Sequence, residues 1–335
     1  MAWFVSREIY TSSYSSRRRR KDYVSVTIAI VLRVNDGLAI AADSASTMVW
    51  FPTDGAKPEV ANVYNHANKI ANLYKGLPIA IMGWGAGNIG DASTSTLYKD
   101  LRRRLSGADP AFQQWAIRPD DYTIKAVAHR VREFMFDDLF QSAYGSVTRK
   151  PSTGVFVMGY SPGEMLPEVY EISVDESGQV AGPASPLPGK VTGMLGRGQA
   201  EAFLRLIMGF GAGVPQALVQ LGIVPESQID QVMLQIQMRT QAPLWSSAMP
   251  IQDAIDLVHF VADTAAKFTR FNPGWPSVGG LIEVATVTKH EGFRWISRKH
   301  FYERSINEEV DPWPRNHPSP GPAIPMQTNE TATDQ

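Results

Sequence analysis

Apolar residues in the first quarter of the chain come in short β-branched runs separated by turn signals. Residues 23–34 (YVSVTIAIVLRV) and 38–43 (LAIAAD) flank Asn35-Asp36-Gly37, which predicts a hairpin with a buried face. The same grammar returns after a long loop: NKIANLY at 68–74, the turn Lys75-Gly76, and LPIAIMG at 77–83. The spacing then lengthens from two residues to 3.6. Ile124, Val127, Ala128, Val131, Phe134 and Met135 share one side of a helix predicted over 121–139, with Pro119 and Asp120 as start signals, and 91–105 reads as another helix. VFVMGY at 155–160 and VYEISVD at 169–175 make a third hairpin around Ser161-Pro162-Gly163. Helical spacing resumes over 198–210, 213–222, 228–239 and 251–269, and LIEVATVT at 281–288 with FRWIS at 293–297 closes the pattern as a strand pair. Strands and helices in runs, rather than in strict βαβ alternation, predict a layered α+β architecture.

Two segments lack any period. Residues 1–22, Ser- and Arg-rich from Ser12, read as a mobile arm or removable leader, and 306–335, with six prolines from Pro312 on, read as a disordered tail. The span 23–305 is left as one folded domain. Of the 335 residues 44% are hydrophobic and 19% charged, which describes an ordinary globular chain. Lys and Arg (32) nearly balance Asp and Glu (33), so no net field draws the chain to nucleic acid or anionic lipid. Arg17–Arg20 and Arg102–Arg104 are therefore read as solvated charge, and Trp84, Trp275 and Trp295 as core or pocket lining rather than a base-stacking platform. No stretch approaches the roughly 18 apolar residues of a membrane span. The apolar run after the arginines, Val24 to Leu32, is short and interrupted by Arg33, Asn35 and Asp36, which disfavours an export signal and predicts a cytoplasmic protein.

With no cysteine, thiolate metal sites and thiol nucleophiles are excluded, and covalent catalysis is left to oxygen or nitrogen. The usual catalytic motifs are absent, and the six histidines lie at no metal-ligand spacing, so no metal or organic cofactor is expected. What stands out is a charge at the end of an apolar strand. Asp43 closes LAIAAD, 16 residues after Thr27 in the partner strand, and a buried carboxylate needs a cation. Lys69 is the natural candidate. Gly83 follows 14 residues later, after the buried strand PIAIM, where a residue without a side chain lets a backbone N–H approach a reacting oxygen.

At these residues the chain resembles the proteasome-type N-terminal nucleophile (Ntn) hydrolases: proteasome β subunits and their bacterial relatives. The resemblance rests on TIAIVLRVNDGLAIAADS at 27–44, NKIANLY with PIAIMGWGAG at 68–87, VFVMGYSPGEMLPEVYEISVDESG at 155–178, GMLGRGQA at 193–200 and VGGLIEVATVTKHEG at 278–292, in family order. It implies a four-layer αββα sandwich of two antiparallel sheets. It also implies a threonine peptidase or amidase in which Thr27, freed at its α-amine by removal of the leader, attacks an amide carbonyl. Asp43 and Lys69 would be its charged partners and Gly83 the oxyanion donor. Aligned two residues earlier, the first strand makes Ser25 the nucleophile instead. Val26 stands where autoprocessed members carry glycine and Arg197 where they carry a serine; no aspartate shortly precedes Val278, and Ser277 is a possible substitute helper. The 200–250 region is longer than a compact member needs and predicts a helical insertion. Family members form rings, so a homo-oligomer is expected, with the apolar faces of the 87–106 and 121–140 helices available for assembly; whether an ATPase partners it stays open. Peptide or amide substrate, no nucleic acid and no membrane complete the expectation. The alternatives are a non-catalytic scaffold subunit of the same fold and, against the balance of charge, a nucleic-acid binder.

Overall fold

Strand after strand in this protein buries both faces, and alternate residues of one strand serve two different cores. The structure, a computed structural model, describes residues 20–23, 27–51, 59–147, 150–199, 201–271 and 278–299. In chain order these form β1 (Arg20–Tyr23), β2 (Ile28–Val34), β3 (Gly37–Ala42), β4 (Ser46–Phe51), β5 (Glu59–Tyr64), β6 (Ile70–Asn72), β7 (Ile79–Gly85) and the small ribbon β8 (Asn88–Ile89) with β9 (Ala92–Ser93). Helices α1 (Thr94–Leu105), α2 (Ile124–Arg132) and α3 (Gln141–Tyr144) follow, the last two joined by a π-helical stretch over Glu133–Phe140. Next come β10 (Thr153–Gly159), β11 (Glu168–Val174), β12 (Val180–Ala184), β13 (Gly193–Gly198), α4 (Glu201–Phe203), α5 (Val214–Gln220), α6 (Ile229–Thr240), α7 (Ile251–Phe271), β14 (Glu283–Thr288) and β15 (Gly292–Ser297).

Two five-stranded antiparallel sheets dominate, one in the order β13-β2-β3-β14-β15 and the other β12-β11-β10-β7-β6. Ala29 and Val31 of β2, Leu38, Ile40 and Ala42 of β3, and Ala285 and Val287 of β14 face one way and meet Ala80, Met82, Phe156 and Met158 of the other sheet. Their neighbours Ile28, Ile30, Leu32, Ala39 and Ala41 face the opposite way and pack under Val258, Val261, Ala262 and Ala265 of α7. On the second sheet Ile79, Ile81, Val155, Val157 and Ile172 take Leu97 and Leu101 of α1 and Val127, Ala128 and Val131 of α2. The period-two pleat thus explains why β2 and β3 read as unbroken apolar runs: each strand is covered by a sheet on one side and a helix on the other. The predicted α+β class holds, with antiparallel sheets.

Several expectations need correction. Arg20–Asp22, at the end of the segment read as a mobile arm or removable leader, form β1 with Tyr23, which pairs antiparallel with β4, Arg20 opposite Phe51 and Tyr23 opposite Met48. An open strand edge offers N–H and C=O groups to any extended backbone, so composition alone does not reveal this pairing. The long loop expected after Asp43 contains the β4–β5 hairpin. The apolar faces of α1 and α2 are not free for assembly, because Leu97, Tyr98, Leu101, Val127 and Val131 lie in the protein's own core. Two arginines of Arg102–Arg104 are not solvated either. Arg102 donates to the Asn72 carbonyl through Nε (2.9 Å) and Nη2 (2.5 Å), and the Arg104 guanidinium lies 3.5 Å from the centre of the Phe112 ring and 4.2 Å from that of Phe134. Only Arg103 is exposed.

Helices α5 and α6 stand outside this layered core: α5 buries no residue and α6 buries only Ile229. They are tied back at one end, where Ala242 N–H donates to the Ile207 carbonyl (2.8 Å) and the Thr240 hydroxyl to the Met208 carbonyl (2.6 Å).

Candidate functional site

The site lies where β2 begins and β3 ends. Asp43 follows the last residue of β3, so its backbone still reaches back across the hairpin, Asp43 N–H donating to the Ile28 carbonyl at 3.3 Å. Its side chain is fully buried. Oδ1 accepts from Ile28 N–H (2.9 Å) and from Lys69 Nζ (2.6 Å), while Oδ2 accepts from Ala45 N–H (3.1 Å) and Gly279 N–H (3.3 Å). A carboxylate that receives one ammonium and three amide donors is held in a single orientation. Because one oxygen atom takes both Ile28 N–H and the lysine, the Lys69 ammonium is brought to the residue that immediately follows Thr27. Thr27 is buried as well, and its carbonyl accepts from Gln199 N–H at 2.8 Å. Gly198, which has φ +89, lies so close that a side chain there would run into the Thr27 carbonyl oxygen. The glycine of the GRG turn is thereby explained by the strand start it covers.

Lys69 sits just before β6, on the opposite sheet, and its side chain is 7% exposed. Burial pushes its ammonium below the usual lysine range, against the pull of Asp43 and, more weakly, of Glu283. Among the described residues it has one hydrogen-bond partner, Asp43, leaving two of its three N–H donors unassigned.

Gly83 is placed beside Lys69 and not as the resemblance implies. Its N–H donates to the Lys69 carbonyl at 2.9 Å, so the amide that should serve an oxyanion is spent on the sheet ladder, and this expectation is corrected. The glycine is needed for another reason. A side chain at 83 would overlap the hydroxyl of Tyr98, which α1 presses against the sheet from the helix side. Ser25 and Ser277 lie outside the described residues, as does Trp275.

Arg197, which the resemblance sets in the place of a serine, is engaged in an ion pair. It reaches across the two sheets from β13 to β11, Nε and Nη2 donating to Oε1 and Oε2 of Glu171 at 2.7 and 2.6 Å. This two-pronged pair stands beside Phe156, which in turn packs on Trp84 with ring centres 4.5 Å apart. It clips the open end of the sandwich shut next to the first residues of β2.

Three residues near the site escaped the sequence reading. Lys299 Nζ donates to Ser44 Oγ (2.7 Å) and to the Ala67 carbonyl (2.5 Å), and it lies 3.3 Å from Glu283 Oε2. The Ser44 hydroxyl itself donates to the Leu281 carbonyl at 2.6 Å. All three side chains are buried. Burial raises the Glu283 carboxyl above the usual range and lowers the Lys299 ammonium below its own, each opposed by the other's charge. Glu283 carried a readable signal, a lone acid inside the apolar strand LIEVATVT, the same signal that singled out Asp43. Lys299 carried none, since it lies beyond the last strand.

The chain matches no model of a known protein family, and no curated protein sequence aligns with it. Among the described residues no helix is long and apolar enough to cross a membrane.

Proposed function

We propose that the protein is a proteasome-like Ntn hydrolase with the αββα fold of that class, a threonine peptidase or amidase. The observation that carries this reading is the Lys69–Asp43 pair at 2.6 Å, whose shared carboxylate oxygen also holds the N–H next to Thr27. A buried lysine held through Asp43 against the backbone next to Thr27 is the kind of cation that could ease deprotonation of the Thr27 hydroxyl.

In the proposed reaction, water first cleaves the Val26–Thr27 bond and frees the Thr27 α-amine. Thr27 Oγ then attacks the carbonyl carbon of a peptide or amide, and its proton passes to the α-amine. The tetrahedral adduct collapses as the C–N bond breaks, and the departing nitrogen takes that proton, leaving an ester on Thr27. Water hydrolyses the ester and restores the hydroxyl. Lys69 acts as the neighbouring cation that lowers the hydroxyl's pKa, and Asp43 orients Lys69. Gly83 has no part in the reacting set, because its N–H is committed. No metal or organic cofactor enters the scheme.

The second reading, a non-catalytic scaffold subunit, is favoured by one observation: the Gly83 amide faces the Lys69 carbonyl rather than a reacting oxygen. Hydrolysis of a panel of fluorogenic peptide amides by the full chain separates the two readings. The enzyme reading expects turnover that Thr27→Ala abolishes and Ser25→Ala spares; loss with Ser25→Ala alone moves the nucleophile to Ser25. Absence of turnover, together with a retained leader, selects the scaffold.

A further inference from the structure

Lys69 and Lys299 are two buried ammonium groups in one region, and they are used differently. Lys299 donates to Ser44 Oγ and to the Ala67 carbonyl and forms an ion pair with Glu283 at 3.3 Å, whose buried carboxylate oxygens accept no hydrogen bond among the described residues. Those acceptors come from three separate segments. Ser44 is the neighbour of Asp43, and its own N–H donates to the Gly279 carbonyl (3.1 Å), while Gly279 N–H donates to Asp43. Ala67 lies two residues before Lys69, and its N–H donates to the Ser44 carbonyl at 2.9 Å. Lys299 therefore bridges the segment that carries Asp43 and the segment that carries Lys69, with β14 behind both. Ser44 with Lys299 does not make a second nucleophile, since the Ser44 hydroxyl donates to the Leu281 carbonyl at 2.6 Å.

The charges alternate in the same way. Asp43 and Glu283 are the acids facing Lys69, Lys299 is the cation facing it, and Arg298 faces Glu283 from outside. We propose that Lys299 and Glu283 are positioning residues for the Lys69–Asp43 pair: Lys299 clamps the Asp43 and Lys69 segments together, and its ion pair with Glu283 places two opposed charges in the region of Lys69. This rests on the reading of Lys69–Asp43 as the working pair, but its test does not require turnover. The proposal accounts for a second lysine-glutamate pair being kept in a region where burying four charges is costly and an apolar replacement would pack as well.

The test reads the titration midpoint of Lys69 in the full chain by NMR of ε-¹³C-labelled lysine, its signal assigned by its loss in Lys69→Arg. Glu283→Gln removes a facing anion and is expected to lower the midpoint; Lys299→Met removes a facing cation and is expected to raise it, each by roughly half a pH unit or more. Lys299→Arg keeps the charge and is expected to leave the midpoint within about 0.3 unit of the parent. A merely structural pair gives a different pattern, since loosening the site admits water and moves Lys69 up toward the ordinary lysine value in both variants. Shifts of the same sign, or none, overturn the proposal. Should a single variant fail to fold, the doubly neutral Glu283→Gln/Lys299→Met chain carries the test. It leaves no unpaired charge, and its midpoint is expected near the parent's; a shift of half a unit or more there also overturns it. A chain that keeps its leader and hydrolyses nothing, yet shows the opposed shifts, removes the hydrolase reading and leaves the electrostatic device.

Discussion

The two ends of strand β2 each bury a positive charge, and they dispose of it in opposite ways. At the far end Arg33, 3% exposed, donates Nε to the Val191 carbonyl (2.9 Å), Nη1 to that of Pro167 (3.1 Å) and Nη2 to that of Gly189 (2.8 Å). Its guanidinium staples two loops, and the nearby acid, Glu168, is separately engaged by the Ser161 hydroxyl (2.5 Å) and that of Tyr170 (3.0 Å). At the near end, about 20 Å away at some 3.3 Å per residue, Asp43, Lys69, Glu283 and Lys299 form two ion pairs, and among the described residues Lys69 hydrogen-bonds Asp43 alone. Multidentate capture by neutral carbonyls is what a structural cation looks like. A lysine held by one carboxylate and destabilised by burial is what a reactive one looks like.

Substitution of Lys69 should have the largest effect. Lys69→Met leaves Asp43 buried with only its amide donors, and we expect a loss of about 3 kcal/mol in urea unfolding together with loss of any amidase turnover. The cost depends on pH with a definite sign. Lys69 and Lys299 sit below the ordinary value of 10.5, so the unfolded chain binds more protons than the folded one in the alkaline window beneath it. The linked stability is fully present above 10.5 and is lost as pH falls through the folded values. Parent stability relative to Lys69→Met should accordingly rise as pH climbs toward the ordinary lysine value of 10.5 from below; a difference that falls on that approach contradicts the lowered ammonium.

Arg33→Met comes next, and it sharpens the contrast. Three carbonyls, one of them buried, lose their donor, for an expected loss of about 2 kcal/mol, yet the Lys69 titration midpoint and any turnover per folded molecule should not move. Equal disturbance of Lys69 by the Arg33 and Glu283 variants would erase the distinction between the two ends.

A smaller effect tests what Gly83 is for. Gly83→Ala forces a methyl group into the Tyr98 hydroxyl and should cost about 1–2 kcal/mol; Tyr98→Phe removes the obstructing oxygen and should restore most of it in the double variant. Failure of that rescue would mean that the glycine serves something other than the packing of α1. The smallest effect separates two adjacent arginines. Arg104→Ala, which strips a cation from Phe112 and Phe134, should cost about 1 kcal/mol, whereas exposed Arg103→Ala should stay within about 0.5 kcal/mol of the parent.

Legibility in the sequence followed burial. β2, β3, β7 and β10 were readable because strands covered on both faces are written almost wholly in apolar residues. β13 (GMLGRG) was not, since its glycines answer to the Phe203 ring against Gly196 and to the Thr27 carbonyl against Gly198, contacts that exist only in three dimensions. The apolar stripes of α1 and α2 were correct as helices and wrong as surfaces, because a stripe does not say whether its cover belongs to the same chain. At the site, Asp43 was legible as a misplaced charge and Lys69 as its spaced partner. Glu283 bore the same mark and was read only as strand, and Lys299 lies two residues beyond the closing strand, which the reading ended correctly at Ser297, where no local pattern marks it for the cluster. Arg197 was noted as a departure, and its partner Glu171 became visible only when the two sheets were laid face to face.

The most direct measurement is the mass of the intact chain as it accumulates in the cell. Conversion to a species that begins at Thr27, abolished in Thr27→Ala, is the result this account predicts. A chain that retains Val26 in its working form, with Lys69 and Asp43 substitutions changing stability and nothing else, would contradict it.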